Sequence, residues 1–235
     1  MDDSEKSVYE YLTSHGFRTV AYEPDGNVPP DFLVDGRIAV EVRRLNQNEE
    51  TGIGHRGLEE VSKPLNVLVE KALAAMGAPV DGATWFVSYT YGRPLPPWRK
   101  LDDLLRKALR EVAATRSLGG RDVPVAGKLR LSFTRATKLH PALFVLGGWS
   151  DHDSGGFVVS EMAQNIRICI AEKGSKVSRG RAKYAEWWLA LEDRIGYGAL
   201  DERDRNQLRE LVQVDDPWSK IILVNPLDPR NGFEL

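Results

Sequence analysis

Pro29-Pro30-Asp31-Phe32-Leu33-Val34-Asp35-Gly36-Arg37-Ile38-Ala39-Val40-Glu41-Val42-Arg43 is the stretch whose reading decides the fold. Two apolar runs, Phe32 to Val34 and Ile38 to Leu45, flank Asp35-Gly36, the strongest short-range hairpin signal there is, because a tight turn wants positive φ at both residues. Side chains alternate along a strand, so Ile38, Val40 and Val42 face a core while Ala39, Glu41 and Arg43 face the other way. Whether Asp31 joins Glu41 is a matter of register. A two-residue turn pairs Val34 with Arg37, sets Asp31 opposite Val40 and separates the two acids. A three-residue loop over Val34-Asp35-Gly36, with Gly36 left-handed, pairs Leu33 with Arg37 and Asp31 with Ala39. The acids are then diagonal neighbours roughly 7 to 8 Å apart at the backbone. The three-residue loop is the expected one. With the Val42 carbonyl, Asp31 and Glu41 form a partial oxygen cage for Mg²⁺, which uses one or two protein carboxylates and keeps several waters.

Outward from this hairpin, Asp2 and Glu5 read as a capping box opening a short helix, with Val8, Tyr11 and Leu12 on one stripe and Gly16 at its end. Phe17 to Tyr22 alternates as a strand does, and Glu23 to Asn27 is dense in turn formers. A polar loop, Asn46 to Gly57, leads to a helix carrying Leu65, Leu68, Val69, Ala72, Leu73 and Met76 at helical spacing. Pro64 lies near its start and Gly77 past its end. Thr84 to Tyr91 then reads as a buried strand. The order is α-β-β-β-α-β over residues 1–95. Residues 96–235 are expected to be an α/β extension packed on the same sheet, available for substrate binding or homodimerisation. In it, helices are expected near Leu101 to Ala114, Glu161 to Val177 and Glu202 to Val212. Strands are expected near Lys128 to Thr134, Ala142 to Leu146, Trp187 to Leu191 and Ile221 to Val224.

The Pro30-Asp31 pair, Glu41 and Arg43, set in that element order, resemble the signature of the PD-(D/E)xK, or restriction-endonuclease-like, nuclease superfamily. The resemblance implies a mixed sheet and an α/β core, with Asp31 and Glu41 as ligands of Mg²⁺ or Mn²⁺. Glu5 matches a further acidic position that many members carry on the first helix, although the capping role already accounts for it. Arg43 stands where the family usually has lysine. Arginine cannot give up its proton and so cannot act as a general base, but its fork can grip a phosphate. Another lysine can fill the place. Met162, Ile166 and Cys169 form an apolar helical stripe that Lys173 and Lys176 continue, and Lys63 is a further candidate.

Arg43 and Arg44, with Lys173, Lys176, Arg179, Arg181 and Lys183, supply local positive charge for a nucleic-acid backbone. A solvated strand edge and a solvated helix end explain the same residues. Tyr184, Trp187 and Trp188 can stack on bases or fill a core. Asp151-His152-Asp153 carries metal-binding chemistry, yet flanking glycine pairs mark it as a surface loop.

A net charge of −2 excludes a wholly basic nucleic-acid binder, so DNA contact must use a local patch. With 42% hydrophobic and 28% charged residues the chain reads as folded and soluble, and no apolar run is long enough for a membrane. The acidic start lacks a secretory h-region, and one cysteine, Cys169, cannot form an internal disulfide. Both suit a reducing cytoplasm, with that thiol as a small buried apolar group. The resemblance implies a metal-dependent nuclease acting on DNA, in phage defence or DNA processing. The alternative is a catalytically inactive nuclease-fold protein that binds nucleic acid or another protein, with Arg43 as the mark of lost chemistry.

Overall fold

The computed structural model describes all residues except 53, 80, 81, 116–121 and 179. In chain order the first elements are α1 (Asp3–Ser14), β1 (Val20–Tyr22), β2 (Phe32–Val34), β3 (Ile38–Leu45), β4 (Asn48–Thr51) and β5 (Gly54–Gly57). Then come α2 (Glu59–Ala74), β6 (Trp85–Tyr91), α3 (Trp98–Ala114), β7 (Asp122–Ala126), β8 (Leu129–Arg135) and β9 (Phe144–Asp151). The last are α4 (Val158–Val177), β10 (Glu186–Asp193), α5 (Glu202–Leu211), β11 (Lys220–Val224) and β12 (Gly232–Glu234). The protein is α/β, with mixed sheets, and divides into two compact units, Met1–Gly57 with Gly156–Leu235, and Leu58–Gly155. None of the helices among the described residues is long and apolar enough to cross a membrane.

The first unit is built on a six-stranded sheet ordered β1-β2-β3-β10-β11-β12. Strands β1, β2 and β3 run antiparallel in turn, whereas β10 is parallel to both β3 and β11. Central parallel strands are covered on both faces and read as unbroken apolar runs, as Trp187 to Leu191 does. One face packs Ala39, Trp187, Leu189 and Leu191 against Met162, Ile166 and Cys169 of α4 and Leu208 of α5. The other packs Val40, Val42, Trp188 and Ala190 against Val8, Tyr11 and Leu12 of α1. Trp187 is fully buried, and truncating such a side chain to alanine costs about 3–5 kcal/mol. Its neighbour Trp188 is also in the core, so neither indole is a free stacking platform.

The second unit has its own four-stranded sheet, β7-β8-β6-β9. Leu65, Val69 and Leu73 of α2 and Leu101, Leu105 and Leu109 of α3 close a core over Val87, Tyr89, Leu129 and Leu131.

The chain does not divide at residue 95 as the sequence led us to expect, and residues 96–235 do not extend one sheet as a block. β6, expected to finish the first core, belongs to the second unit, and the helix and strand that follow β3 in the first sheet are α4 and β10. The reason is pairing: β3 takes β10 as its parallel neighbour over all eight residues, from Ile38↔Glu186 to Leu45↔Asp193. A parallel neighbour needs a long crossover, and here that crossover includes the whole second unit. The loop expected at Asn46 to Gly57 contains the small β4-β5 hairpin.

Candidate active site

The hairpin register is neither of the two weighed from sequence. Val34 pairs with Ile38, Leu33 with Ala39 and Phe32 with Val40, so one further step sets Asp31 opposite Glu41. The loop has three residues, but they are Asp35, Gly36 and Arg37. Asp35 and Gly36 both take positive φ, 49° and 69°, and the Arg37 N–H donates to the Val34 carbonyl at 3.1 Å. The Asp35 carboxylate accepts from the N–H groups of Arg18 and Thr19, both at 2.9 Å. That local bonding holds a non-glycine residue in the left-handed region, which aspartate visits more readily than most. Arg37 is then the extra residue before pairing resumes.

The two acids share the face covered by α4. The ladder between β2 and β3 ends at Phe32↔Val40, and the Asp31 carboxylate accepts from the Val42 N–H at 2.7 Å just past that end. Glu41 is 1% exposed, which overturns any reading of it as a surface glutamate.

Lys173 reaches this pair from the last turns of α4. Its Nζ lies 2.6 Å from Glu41 Oε2 and 3.6 Å from Asp31 Oδ2. Burial raises the Glu41 pKa above the ordinary carboxylate value and Asp31 adds to the rise, while Lys173 and, more weakly, Lys176 oppose it. Glu41 Oε1 is buried without a hydrogen-bond partner among the described residues. An orphaned carboxylate oxygen beside a second carboxylate is a donor set that fits a hard divalent cation completing its shell with water. Such a cation would take Asp31 and Glu41 as side-chain ligands, with the Val42 carbonyl at the same strand end. No group of three or more His, Cys, Asp or Glu side chains among the described residues is arranged around a metal position.

Beside the pair opens a cleft of about 350 Å³, lined by Ser4, Glu5, Asp31, Val42, Arg44 and Lys173, with Asp2 and Arg43. Glu5 has its capping role: its Oε2 accepts from the Asp2 N–H at 2.6 Å and the Tyr22 hydroxyl at 3.1 Å. Arg43 is drawn to α4, with Nη1 2.6 Å from Glu172 Oε2. Lys176 is exposed rather than turned inward, and Lys63 is exposed on α2, in the unit that does not carry the acids. Arg179 lies outside the described residues. Arg181 pairs with Asp216 at 3.0 Å, and Lys183 with Asp25 while lying over the Tyr184 ring. Those two charges are locally matched. Cys169 is buried, and burial pushes its thiol up to about 11, so it is a packing residue. Asp151 is occupied by Arg93, whose Nη1 and Nη2 lie 2.7 and 2.8 Å from its two oxygens, and by the Tyr91 hydroxyl.

Glu172, Glu192 and Arg194 escaped the sequence reading. Glu192 had a signal: in Glu186-Trp187-Trp188-Leu189-Ala190-Leu191-Glu192-Asp193 it follows Trp188 and Ala190 on their buried face.

No protein-family model, no curated protein and no solved structure matches the chain.

Proposed function

We propose that the protein is a metal-dependent nuclease that hydrolyses phosphodiester bonds in DNA, a PD-(D/E)xK enzyme whose catalytic lysine comes from α4 instead of the third motif position. The observation that carries this reading is Lys173 Nζ at 2.6 Å from Glu41 and 3.6 Å from Asp31. The element order of the first unit, α1-β1-β2-β3 followed, after the β4-β5 hairpin, by α4-β10, supports it, being the order the motif implies once that hairpin and the second unit are set aside.

Mg²⁺ or Mn²⁺, when bound, lowers the pKa of a coordinated water and neutralises charge on the scissile phosphate. The chain's own residues do the rest. Asp31, fixed by the Val42 N–H, and Glu41, fixed in the β3 core, would hold the cation. The Lys173 ammonium, 14% exposed, faces the reacting phosphate from the protein side and balances the two carboxylates before substrate arrives. Arg43, held by Glu172, lines the same cleft and keeps further donors for a phosphate oxygen.

The rival reading is an inactive nuclease-fold protein that binds nucleic acid or another protein, favoured by the engagement of Arg43 with Glu172. Conversion of supercoiled plasmid separates the two. The nuclease reading expects nicking or cutting with Mg²⁺ or Mn²⁺, none with EDTA, and none with Glu41→Gln in either metal. A wild-type protein inert on single-stranded and double-stranded DNA and on RNA, with no Mg²⁺ or Mn²⁺ binding by calorimetry, would establish the rival.

A further inference from the structure

On the α1 side of the sheet, next to the cleft, Glu192 is fully buried at the end of β10, directly opposite Arg44 of β3. Its Oε1 takes Arg194 Nη2 at 2.7 Å and the Ser7 hydroxyl at 3.3 Å. Its Oε2 takes the Ser4 hydroxyl at 2.8 Å, with Arg44 Nε at 3.7 Å. One buried carboxylate therefore faces two guanidinium groups. Each of them keeps about a third of its surface, 38% for Arg44 and 35% for Arg194. The Arg44 contact is too long for a hydrogen bond, and Arg44 Nε is buried without a hydrogen-bond partner among the described residues. Asp3, close by on α1, pairs with Lys6 at 3.1 Å and also feels the charge of Arg44 and Arg194.

Taking a carboxylate out of water is expensive, and an apolar residue of similar volume is often as good or better for stability. Glu192 spends that cost on orienting two arginines whose outer edges stay in water. Arg44 also lines the cleft that Asp31 and Lys173 line. Strand alternation puts Glu41 and Arg43 on the α4 face and Arg44 on the α1 face, so the strand end carries the acids on one side and this pair on the other. Glu41 and Arg44 are three residues apart on β3, about 10 Å along the strand.

We propose that Arg44 and Arg194, positioned by Glu192, form a phosphate subsite that grips the DNA backbone beside the bond being cut. This rests on the nuclease reading for its substrate but not for its geometry. A guanidinium pair offers two planar forks to phosphate oxygens, which a lysine pair cannot. The subsite positions the strand and takes no part in bond breaking.

The test is binding of the full chain to a fluorescein-labelled DNA duplex in EDTA, by anisotropy across a salt series. Wild type is expected to bind with an affinity that falls as salt rises. Arg194→Gln should weaken binding several-fold and lower the log–log salt slope by about 0.9, the loss of one phosphate contact. Arg194→Lys should restore the slope, and Arg230→Gln, at a 74% exposed arginine of the same unit, should leave it unchanged. Thermal melts confirm that each variant is folded. An unchanged slope in Arg194→Gln, an equal loss in Arg230→Gln, or no binding by wild type would each overturn the subsite. Plasmid nicking by the same preparations keeps the two proposals apart. Nicking with an unchanged Arg194→Gln slope removes the subsite alone. A reduced slope without nicking supports the subsite and removes the nuclease.

Discussion

Arg43 Nη1 lies 2.6 Å from Glu172 Oε2, and the next residue of that helix, Lys173, is the one that reaches Glu41. Two adjacent positions of α4 thus divide the work, one restraining Arg43 and the other supplying an ammonium to the acids. Lys173→Met should abolish metal-dependent nicking, while Arg43→Lys, which keeps a cation for Glu172, should nick within about threefold of wild type, or about 0.7 kcal/mol. Plasmid conversion rates measure both.

Stability should separate these variants as well. Lys173→Met leaves the buried Glu41 without its cation, and breaking a buried pair costs about 3–5 kcal/mol, lowered here to about 2 by the open cleft and by proton uptake at Glu41. Denaturant melts at pH 8 should show that loss. It should shrink in acid, where Glu41 becomes neutral.

The raised pKa of Glu41 has its own pH signature. Its folded-state value lies above its unfolded one, chiefly through burial, so the folded protein binds the proton more tightly. The stability this gives is fully present below the unfolded pKa and lost as pH rises through the folded pKa. Glu41→Gln cannot titrate, so its stability curve should lack that decline. Urea melts of both proteins from acid to neutral pH check this, and parallel curves would show that Glu41 is not the titrating group.

Asp31→Asn tests the cation without disturbing the strand end. An asparagine oxygen can still accept from the Val42 N–H, so the melting temperature should stay within a few degrees of wild type. Mn²⁺ affinity by calorimetry should fall at least about tenfold, or about 1.4 kcal/mol.

The turn offers a prediction about register. Gly36 has φ 69° with open space around it, so Gly36→Ala meets no clash and pays only for left-handed backbone, about 1–2 kcal/mol. Asp35→Ala loses both bonds to Arg18 and Thr19 together with aspartate's tolerance of φ 49°, and should cost at least as much. Melts of the two variants give the ranking.

Alternation in β3, the capping box at Asp2 and Glu5, and the approach of Lys173 along an α4 stripe could all be read in the sequence, because each rests on spacing within one element. What could not be read depends on partners far along the chain. The parallel pairing of β3 with β10 joins residues about 150 apart, and no local pattern announces it. Without it, α2 and β6 were the nearest helix and strand to follow β3, and they filled the expected order. The same blindness hid Glu172, whose partner is Arg43, and Glu192, whose partners are Ser4, Ser7, Arg44 and Arg194. The turn was misread for another reason: Asp35 adopts positive φ with help from Arg18 and Thr19, two residues on a different segment.

The return of the chain to its first sheet at Gly156 has a consequence for biosynthesis. A ribosome delivers Asp31 and Glu41 early, but Lys173 and the β10 strand that walls β3 emerge only after Leu58–Gly155 has been translated. That intervening unit has a core of its own and can fold while it waits. The acids meanwhile sit on a hairpin with an open edge and no lysine above them. On the proposed nuclease reading, nascent chains and fragments ending before Lys173 should therefore be harmless to the DNA of the cell that makes them, a latency written into the order of translation instead of into an inhibitor.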